Sequence, residues 1–418
     1  MGKRVEIIAV GNEVLRGRYE ENNAIFLSRV LTRVGLEPWR ISILPDNEEI
    51  LAKEFRASIE RSRVIIVTGG LGPTVDDVTK EAAIRALGGD TETRKDIVEE
   101  IESHFRERGR EIPRGYREQE RIPRGADILP NTVGLAVGLR VEKGGAELFL
   151  LPGVPEEMKE MFERSVLPTL SPPGKDTKIV YRTFALTEME VEERLRHIVS
   201  PSLLVDISLI SGHSGVDIHV PSEVGVGELI VRELGSYRYA AGDVEMEEVV
   251  LKLLRDKKKT LSTAESVTGG LLASRLLSVP GASECFVEGF ITYSDEAKVE
   301  RLGVPAALLE RHGAVSREVA VSMATGVRER AGTDFTLSTT GIAGPGGGTP
   351  TKSVGLCYVS LAAPGETFCR KLQLFGTREA IRNRVSGVAL DLLRLQLIGD
   401  RGRLKQFGVD VDSRGRRR

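Results

Sequence analysis

Cysteine is scarce: Cys285, Cys357 and Cys369 are the only three in 418 residues. The count is odd, and no pair stands at Cys-x-x-Cys or metal-ligand spacing. That excludes a disulfide framework and fits a reducing cytoplasm. Histidine is nearly as sparse. His104, His197, His213, His219 and His312 are scattered with no His-Glu-x-x-His pattern, so no histidine metal centre is expected. Charge of one sign is also missing. The 59 basic and 61 acidic side chains leave a formal net charge of −2, which excludes whole-chain attraction to nucleic acid or anionic membrane. No apolar run is long enough to span a bilayer, and Val5–Val10 is too short for a signal-peptide core.

What is present is an ordinary globular composition, 40% hydrophobic and 29% charged, in a chain long enough for two or three domains. The first segment alternates strand and helix. Val5–Val10, Trp39–Leu44 and Val64–Thr68 read as strands, and Glu20–Val34 and Glu48–Ser62 as helices. This β-α-β-α-β order with apolar strands implies a parallel sheet covered on both faces. Ligands of such sheets bind beyond the carboxyl ends of the strands. Two loops lie there, Gly11-Asn-Glu-Val-Leu-Arg-Gly17 and Thr68-Gly-Gly-Leu-Gly-Pro-Thr-Val-Asp-Asp77.

In the second loop, Gly69, Gly70 and Gly72 let backbone N–H groups close on a phosphate or anhydride, with Thr74 beside them. Asp76 and Asp77 precede the expected helix Val78–Leu87. They read either as caps of that helix or as ligands of a hard cation such as magnesium. No Gly-Lys-Ser/Thr follows, so this is not a Walker A loop. Asp96–Arg108 reads as a helix, Ile112–Asn131 as a polar stretch, Glu147–Leu151 as a strand and Glu156–Val166 as a helix. Pro152-Gly-Val-Pro155 also follows a strand and could complete the first pocket.

Ser171-Pro-Pro-Gly-Lys175 reads as a linker, which bounds a first domain at 1–170. A small α+β segment, 176–241, follows, with strands at Ile179–Ala185, Val205–Ile210 and Val216–Val220 and a helix at Glu188–Val199. Gly212-His-Ser-Gly215 lacks the final glycine of a nucleophile elbow and reads as a hairpin turn.

The third domain, 244–400, holds the sharper chemistry. A helix, Val244–Lys258, and a strand, Thr260–Ala264, lead to Thr263-Ala-Glu-Ser-Val-Thr-Gly-Gly270, and a helix is expected over Thr268–Val279. By position alone Ser266 reads as a helix cap. As a nucleophile it would have the free N–H groups of the helix start for an oxyanion. No histidine is placed as its base. Tyr293 and Lys298, after the expected strand Glu284–Tyr293, are the candidates. A long helix at Ser316–Ala331 and a strand at Asp334–Thr339 lead into the glycine-rich stretch Thr340–Gly348. Arg378 and Arg382 stand one turn apart on a closing helix within Gly376–Gly399, where either could clamp a phosphate. The parts suit hydrolysis of a small phosphorylated substrate. The tail 401–418 has seven basic and two acidic residues and reads as a solvated, disordered end.

Together, Thr263–Gly270, Tyr293-Ser-Asp-Glu-Ala-Lys298, His312-Gly-Ala-Val-Ser316 and Thr340-Gly-Ile-Ala-Gly-Pro345 resemble the C-terminal domain of the CinA (competence/damage-inducible protein A) family. Gly11–Leu15, Thr68–Thr74, Asp76-Asp77-Val-Thr-Lys-Glu81 and Leu151–Met158 resemble its N-terminal, molybdopterin-binding-like domain. The resemblance runs from Val5 to about Leu397. It implies an α/β protein whose C-terminal domain deamidates nicotinamide mononucleotide without a cofactor. Ser266 would be the nucleophile and Tyr293 and Lys298 the activating pair. Thr268, Gly269, Thr340, Gly341, Gly344 and an arginine, Arg382 in preference to Arg378, would bind substrate. It implies an N-terminal domain that hydrolyses ADP-ribose with a divalent metal on Asp76, Asp77 and Glu13 and phosphates on Gly69, Gly70, Gly72 and Thr74. It also implies a homodimer, to which the cysteine usage and near-neutral charge add the expectation of a cytoplasmic protein that engages neither membrane nor nucleic acid. The competing expectations are nucleotide or pterin binding without turnover in the N-terminal domain, and an interaction role in DNA uptake or repair. Val267 stands where the family usually has cysteine, and Ser353 where it usually has proline.

Overall fold

Strands β1 (Val5–Val10) and β3 (Val64–Thr68) are buried along their whole length. Their alternate residues serve two cores. Ile8, Val10, Ile65 and Val67 pack with Leu51, Phe55 and Ala82 on one face. Val5, Ile7, Val64 and Ile66 pack with Leu27, Phe149 and Phe162 on the other. A strand that buries both faces is apolar at most positions, and the exception in β1, the buried Glu6, is paired with Arg61. They lie in a six-stranded sheet, in the order β2-β1-β3-β8-β7-β6. β2 is Pro38–Leu44, β6 Asp127–Leu129, β7 Gly138–Lys143 and β8 Ala146–Leu151. β2, β1, β3 and β8 run parallel, while β7 and β6 extend the sheet antiparallel. β4 (Thr91–Thr93) and β5 (Arg121–Pro123) form a separate ribbon.

This is the computed structural model of the chain, and it describes residues 4–170, 178–212, 215–222 and 225–406. The chain divides into two units at Lys178 and Ile179. The expected linker at 171–175 and two residues of the expected 212–215 hairpin lie outside the described residues. β6 adds a strand within Ile112–Asn131, read from sequence only as a polar stretch, and β7 went unread. β6 is three residues long, too short for alternation to register.

In the second unit, β9 (Lys178–Thr183), β10 (Ser208–Ser211), β11 (Val216–Pro221) and β12 (Arg238–Ala241) form a sheet ordered β10-β11-β9-β12. The helices Glu188–Arg196 and Gly227–Leu234 share its apolar core, Leu195, Ile218, Ile230 and Leu234 among it. The second helix and β12 went unread in the sequence. The second sheet holds β13 (Leu261–Glu265), β14 (Phe286–Ile291), β15 (Phe335–Gly341), β16 (Leu356–Ala363) and β17 (Glu366–Gln373), ordered β14-β13-β15-β16-β17. β13 runs parallel to both neighbours, and β16 and β17 turn antiparallel. The helices Met246–Asp256, Leu271–Leu277 and Arg378–Ile398 supply one core. Asp295–Leu302 and Arg317–Ala331 supply another.

The basic tail needs a correction at its start. Arg401–Gln406 is helical, and Arg403 and Leu404 are buried. Arg403 donates to the Ser236 carbonyl at 2.7 Å and lies 3.4 Å from Asp391. Arg394 donates to Asp391 Oδ1 at 2.6 Å and to the same Ser236 carbonyl at 2.6 Å. Leu404 joins the core, so burial of one apolar residue and a buried countercharge outweigh the basic composition. Residues 407–418 lie outside the described residues.

Asp391 is fully buried between two arginines. Replacing it with alanine leaves both charges in the interior. We expect Asp391→Ala to lower unfolding free energy by about 3–5 kcal/mol in urea titration.

Candidate functional sites

Parallel pairing brings the carboxyl ends of β13, β14 and β15 to one rim, with Glu265 opposite Ile291 on one side and Thr339 on the other. A cavity of about 160 Å³ opens at that rim. Ser266, Tyr293, Lys298, Thr340, Gly341 and Arg378 line it, closed by Val267, Ala314, Val315 and Ala343. The candidate nucleophile and both candidate activating residues are therefore neighbours, although 27 to 32 residues separate them in sequence.

Lys298 is not a solvated helix charge. Its side chain is 1% exposed, and Nζ donates to the carbonyls of Thr292, Tyr293 and Ser294 at 3.1, 3.2 and 3.2 Å. Its nearest carboxylate oxygen, on Asp295, lies 3.7 Å away. Burial pushes the ammonium pKa down, and the Asp295 charge opposes that only in part. Among the described residues no hydrogen bond joins Lys298 or Tyr293 to the Ser266 hydroxyl. All three ammonium hydrogens of Lys298 are thus spent on backbone carbonyls. Tyr293 is 66% exposed, and its hydroxyl accepts from Arg378 Nη2 at 3.2 Å.

The two arginines separate in space. Arg378 lines the cavity, donating to the Gly344 carbonyl at 2.9 Å as well as to Tyr293. Arg382 is not a lining residue. It spends Nε and Nη2 on the Thr268 carbonyl at 3.2 and 2.6 Å. The arginine preferred from sequence is thus a backbone anchor here. Helical spacing places both on one side of a helix without saying what each meets. Thr268 is buried, with its hydroxyl 2.7 Å from that of Thr339, and Gly269 follows it outside the cavity. Thr340 donates its hydroxyl to the Ala314 carbonyl at 2.9 Å. Thr340 and Gly341 belong to β15 rather than to a loop.

The expected helix Thr268–Val279 is also corrected. The helix is Leu271–Leu277, preceded by Gly270 in the left-handed region at φ 92°. Ser266 therefore does not cap it, and the helix-start N–H groups of Gly270, Leu272 and Ala273 are already bonded to Glu265. Those three cannot serve an oxyanion. A buried strand-end carboxylate has taken the place that the serine seemed to hold.

The first unit has its own cavity, of about 380 Å³, beyond the ends of its parallel strands. Gly69, Gly70 and Gly72 line it, and Pro152, Gly153 and Val154 close it from the β8 end. Gly69 and Gly70 have φ of 106° and 66°. A Cβ on Gly69 would stand 2.2 Å from the Val10 carbonyl oxygen, so only glycine fits there. The N–H groups of Gly70, Leu71 and Gly72 have no acceptor among the described residues.

Five carboxylates line this cavity: Glu13, Asp46, Asp76, Asp77 and Glu157, with no lysine, arginine or histidine among the lining residues. Asp46 and Glu157 were missed in the sequence. Asp46 had a readable signal, since it stands just past the carboxyl end of β2, a parallel strand. Burial pushes the Asp46 carboxyl pKa up, and the neighbouring Glu13 and Asp76 charges add to it. Asp77 accepts from the Thr74 N–H at 2.9 Å, and the Thr74 hydroxyl lies 2.6 Å from Asp76 and 2.5 Å from Asp77. That hydroxyl holds the Asp76 pKa below the usual carboxylate range. Neither aspartate caps the Thr79–Leu87 helix. Thr74 itself is not a lining residue. The carboxylates suit a hard cation by donor type. Among the described residues, however, no three acidic, histidine or cysteine side chains gather as a metal site.

Each of the two α/β units thus carries a cavity beyond the ends of its parallel strands, the place where sheets of this class bind ligands. Residues 243–397 match the CinA C-terminal domain, and residues 6–172 match the probable molybdopterin binding domain. A CinA-like protein of Kosmotoga olearia is 41% identical over 410 residues, covering 94% of this chain and 99% of that one. The solved structure of the competence/damage inducible protein CihA of Agrobacterium tumefaciens is 36% identical. It covers 37% of this chain and 93% of its own, at a TM-score of 0.36. The chain belongs to the CinA family. Among the described residues no helix is long and apolar enough to cross a membrane.

Behind the glycine loop, Lys80 is buried and donates to the Glu118 carbonyl at 2.9 Å and to Gln119 Oε1 at 3.3 Å. Gln119 in turn holds the Gly72 carbonyl at 2.9 Å. Burial lowers the Lys80 pKa from 10.5 to about 8. Between those values the unfolded chain binds the extra proton, so folding stability rises with pH across that window. Relative to Lys80→Met, the wild type should gain on the order of 3 kcal/mol from pH 7.5 to 10.5 in urea titrations.

Proposed function

We propose that the C-terminal unit is a serine amidohydrolase acting on nicotinamide mononucleotide, giving nicotinate mononucleotide and ammonia. One observation carries this reading: Ser266 shares a small cavity with a buried lysine whose charge burial disfavours. A neutral Lys298 amine takes the Ser266 hydroxyl proton as Oγ bonds to the carboxamide carbon. The carbonyl electron pair moves to oxygen. As the tetrahedral centre collapses, the proton passes to the departing nitrogen, and ammonia leaves. Water then hydrolyses the acyl-serine. A cavity of about 160 Å³ is smaller than whole-ligand pockets, so only the reacting ring end enters. Arg378, at the same cavity, is the phosphate contact we favour.

The expected outcome is ammonia release from nicotinamide mononucleotide that falls by at least about 10³-fold in Ser266→Ala. Undiminished release in that variant would sink the nucleophile assignment. The pH profile checks the base. The neutral amine grows as pH rises through the lowered Lys298 pKa, so kcat/KM should climb with pH below 10.5. Lys298→Met should abolish that limb.

For the N-terminal unit we propose nucleotide binding, with the phosphates on the Gly69–Gly72 backbone. The supporting observation is that loop's unpaired N–H groups. Five carboxylates repel a phosphate, so a divalent cation would be called for beside it; since no three of these side chains gather as a metal site among the described residues, one or two carboxylates together with the phosphate oxygens would hold it. The cation supplies charge neutralisation. Calorimetry should show ADP-ribose binding with magnesium and none with a chelator. Magnesium-dependent AMP release would add turnover to that reading, and binding without AMP release would leave a binding domain.

A further inference from the structure

Glu265 ends β13, is 1% exposed and immediately precedes Ser266. Its carboxylate reaches over the following turn. Oε2 accepts the N–H groups of Gly270 and Leu272 at 2.9 and 3.0 Å, and Oε1 accepts that of Ala273 at 2.8 Å. A helix start leaves its first N–H groups without helical partners. Here one buried carboxylate takes three of them. The chain between must fold back on itself, and Gly269 and Gly270 take φ of 57° and 92° to do so. Arg382 pins the same turn from outside through the Thr268 carbonyl. The Ser266 N–H is tied to the Thr339 carbonyl at 2.9 Å. Between these anchors, the N–H groups of Val267, Thr268 and Gly269 have no acceptor among the described residues. Successive unpaired N–H groups beside a nucleophile are what a tetrahedral oxyanion needs.

We propose that Glu265 is a positioning residue for acyl transfer: it shapes the Ser266–Gly270 turn so that the turn's own N–H groups, not those of the helix start, receive the oxyanion. The inference rests on the reading of Ser266 as nucleophile. Glu265 exchanges no proton and touches no substrate. The residue type matters. Glutamine offers one acceptor oxygen and sets an amide NH₂ against an N–H, while aspartate is one methylene too short.

The test uses the full chain and a fluorophosphonate probe. The probe bonds phosphorus to a serine oxygen and expels fluoride, leaving a phosphoryl oxygen in the oxyanion position. Wild type should be labelled at Ser266, located by peptide mass spectrometry, and Ser266→Ala should not. Labelling of Glu265→Gln should be about 10–100-fold slower, and kcat for the mononucleotide should fall alike with KM within about two-fold. The amides of Gly270, Leu272 and Ala273 should lose exchange protection while protection of β15 is retained. Glu265→Asp, read the same way, serves if the glutamine variant does not fold. Labelling of a folded variant at the wild-type rate, or a loss confined to KM, overturns the proposal. Wild type labelled at Ser266 but releasing no ammonia refutes the substrate and leaves Glu265 supported by its labelling rate. Wild type unlabelled at Ser266 refutes the nucleophile and this inference with it.

Discussion

Parallel pairing of β13 with both β14 and β15 is the constraint on which the C-terminal site depends. Parallel neighbours end at the same rim, whereas antiparallel ones would send every second end to the opposite edge. Ser266 follows β13, the Thr292–Lys298 stretch follows β14, and Thr340 and Gly341 finish β15. Three segments distant in sequence therefore meet without any loop having to travel. Antiparallel β16 then turns away, and the Arg378–Ile398 helix returns its first turn to the cavity.

The two cavities use charge in opposite ways. The C-terminal one contains a lysine ringed by neutral carbonyls, so burial acts against its charge. The N-terminal one is ringed by carboxylates around a glycine loop, and there like charges act on each other. A phosphate held beside the first would find Arg378. At the second it would find backbone donors, five acids and the neutral side chains of Tyr116 and Gln119, but no cationic one. The same phosphorylated ligand therefore could not use both in the same way without a cation at the second.

Legibility in the sequence followed the range of the interaction responsible. The mostly apolar runs Val5–Val10 and Val64–Thr68 announced buried parallel strands, because burial on both faces leaves room for a polar residue only where it finds a partner, as Glu6 does in Arg61. The glycines at 69 and 70 announced a close-packed loop, because their positive φ and the nearby Val10 carbonyl exclude a side chain. β6, β12 and the Gly227–Leu234 helix did not announce themselves. Two of them are strands of three or four residues, and all rely on neighbours for their burial. The tail misled by composition, since Arg403 becomes tolerable inside only when Asp391 and Ser236 are beside it.

By itself, the sequence determined where the chemistry-bearing residues lie along the chain: a serine after a strand, a lysine one helical turn into the next helix, glycines at strand ends. These are local properties, set by backbone sterics and hydrophobic periodicity over a few residues. Only the tertiary structure decided what each polar group is already bonded to. It assigned the helix-start N–H groups to Glu265, Arg382 to a backbone carbonyl, Arg378 to the cavity, and Asp76 and Asp77 to Thr74. The physical reason is competition. A buried donor or acceptor must find a partner, and which partner lies nearest depends on the packing of elements far apart in sequence.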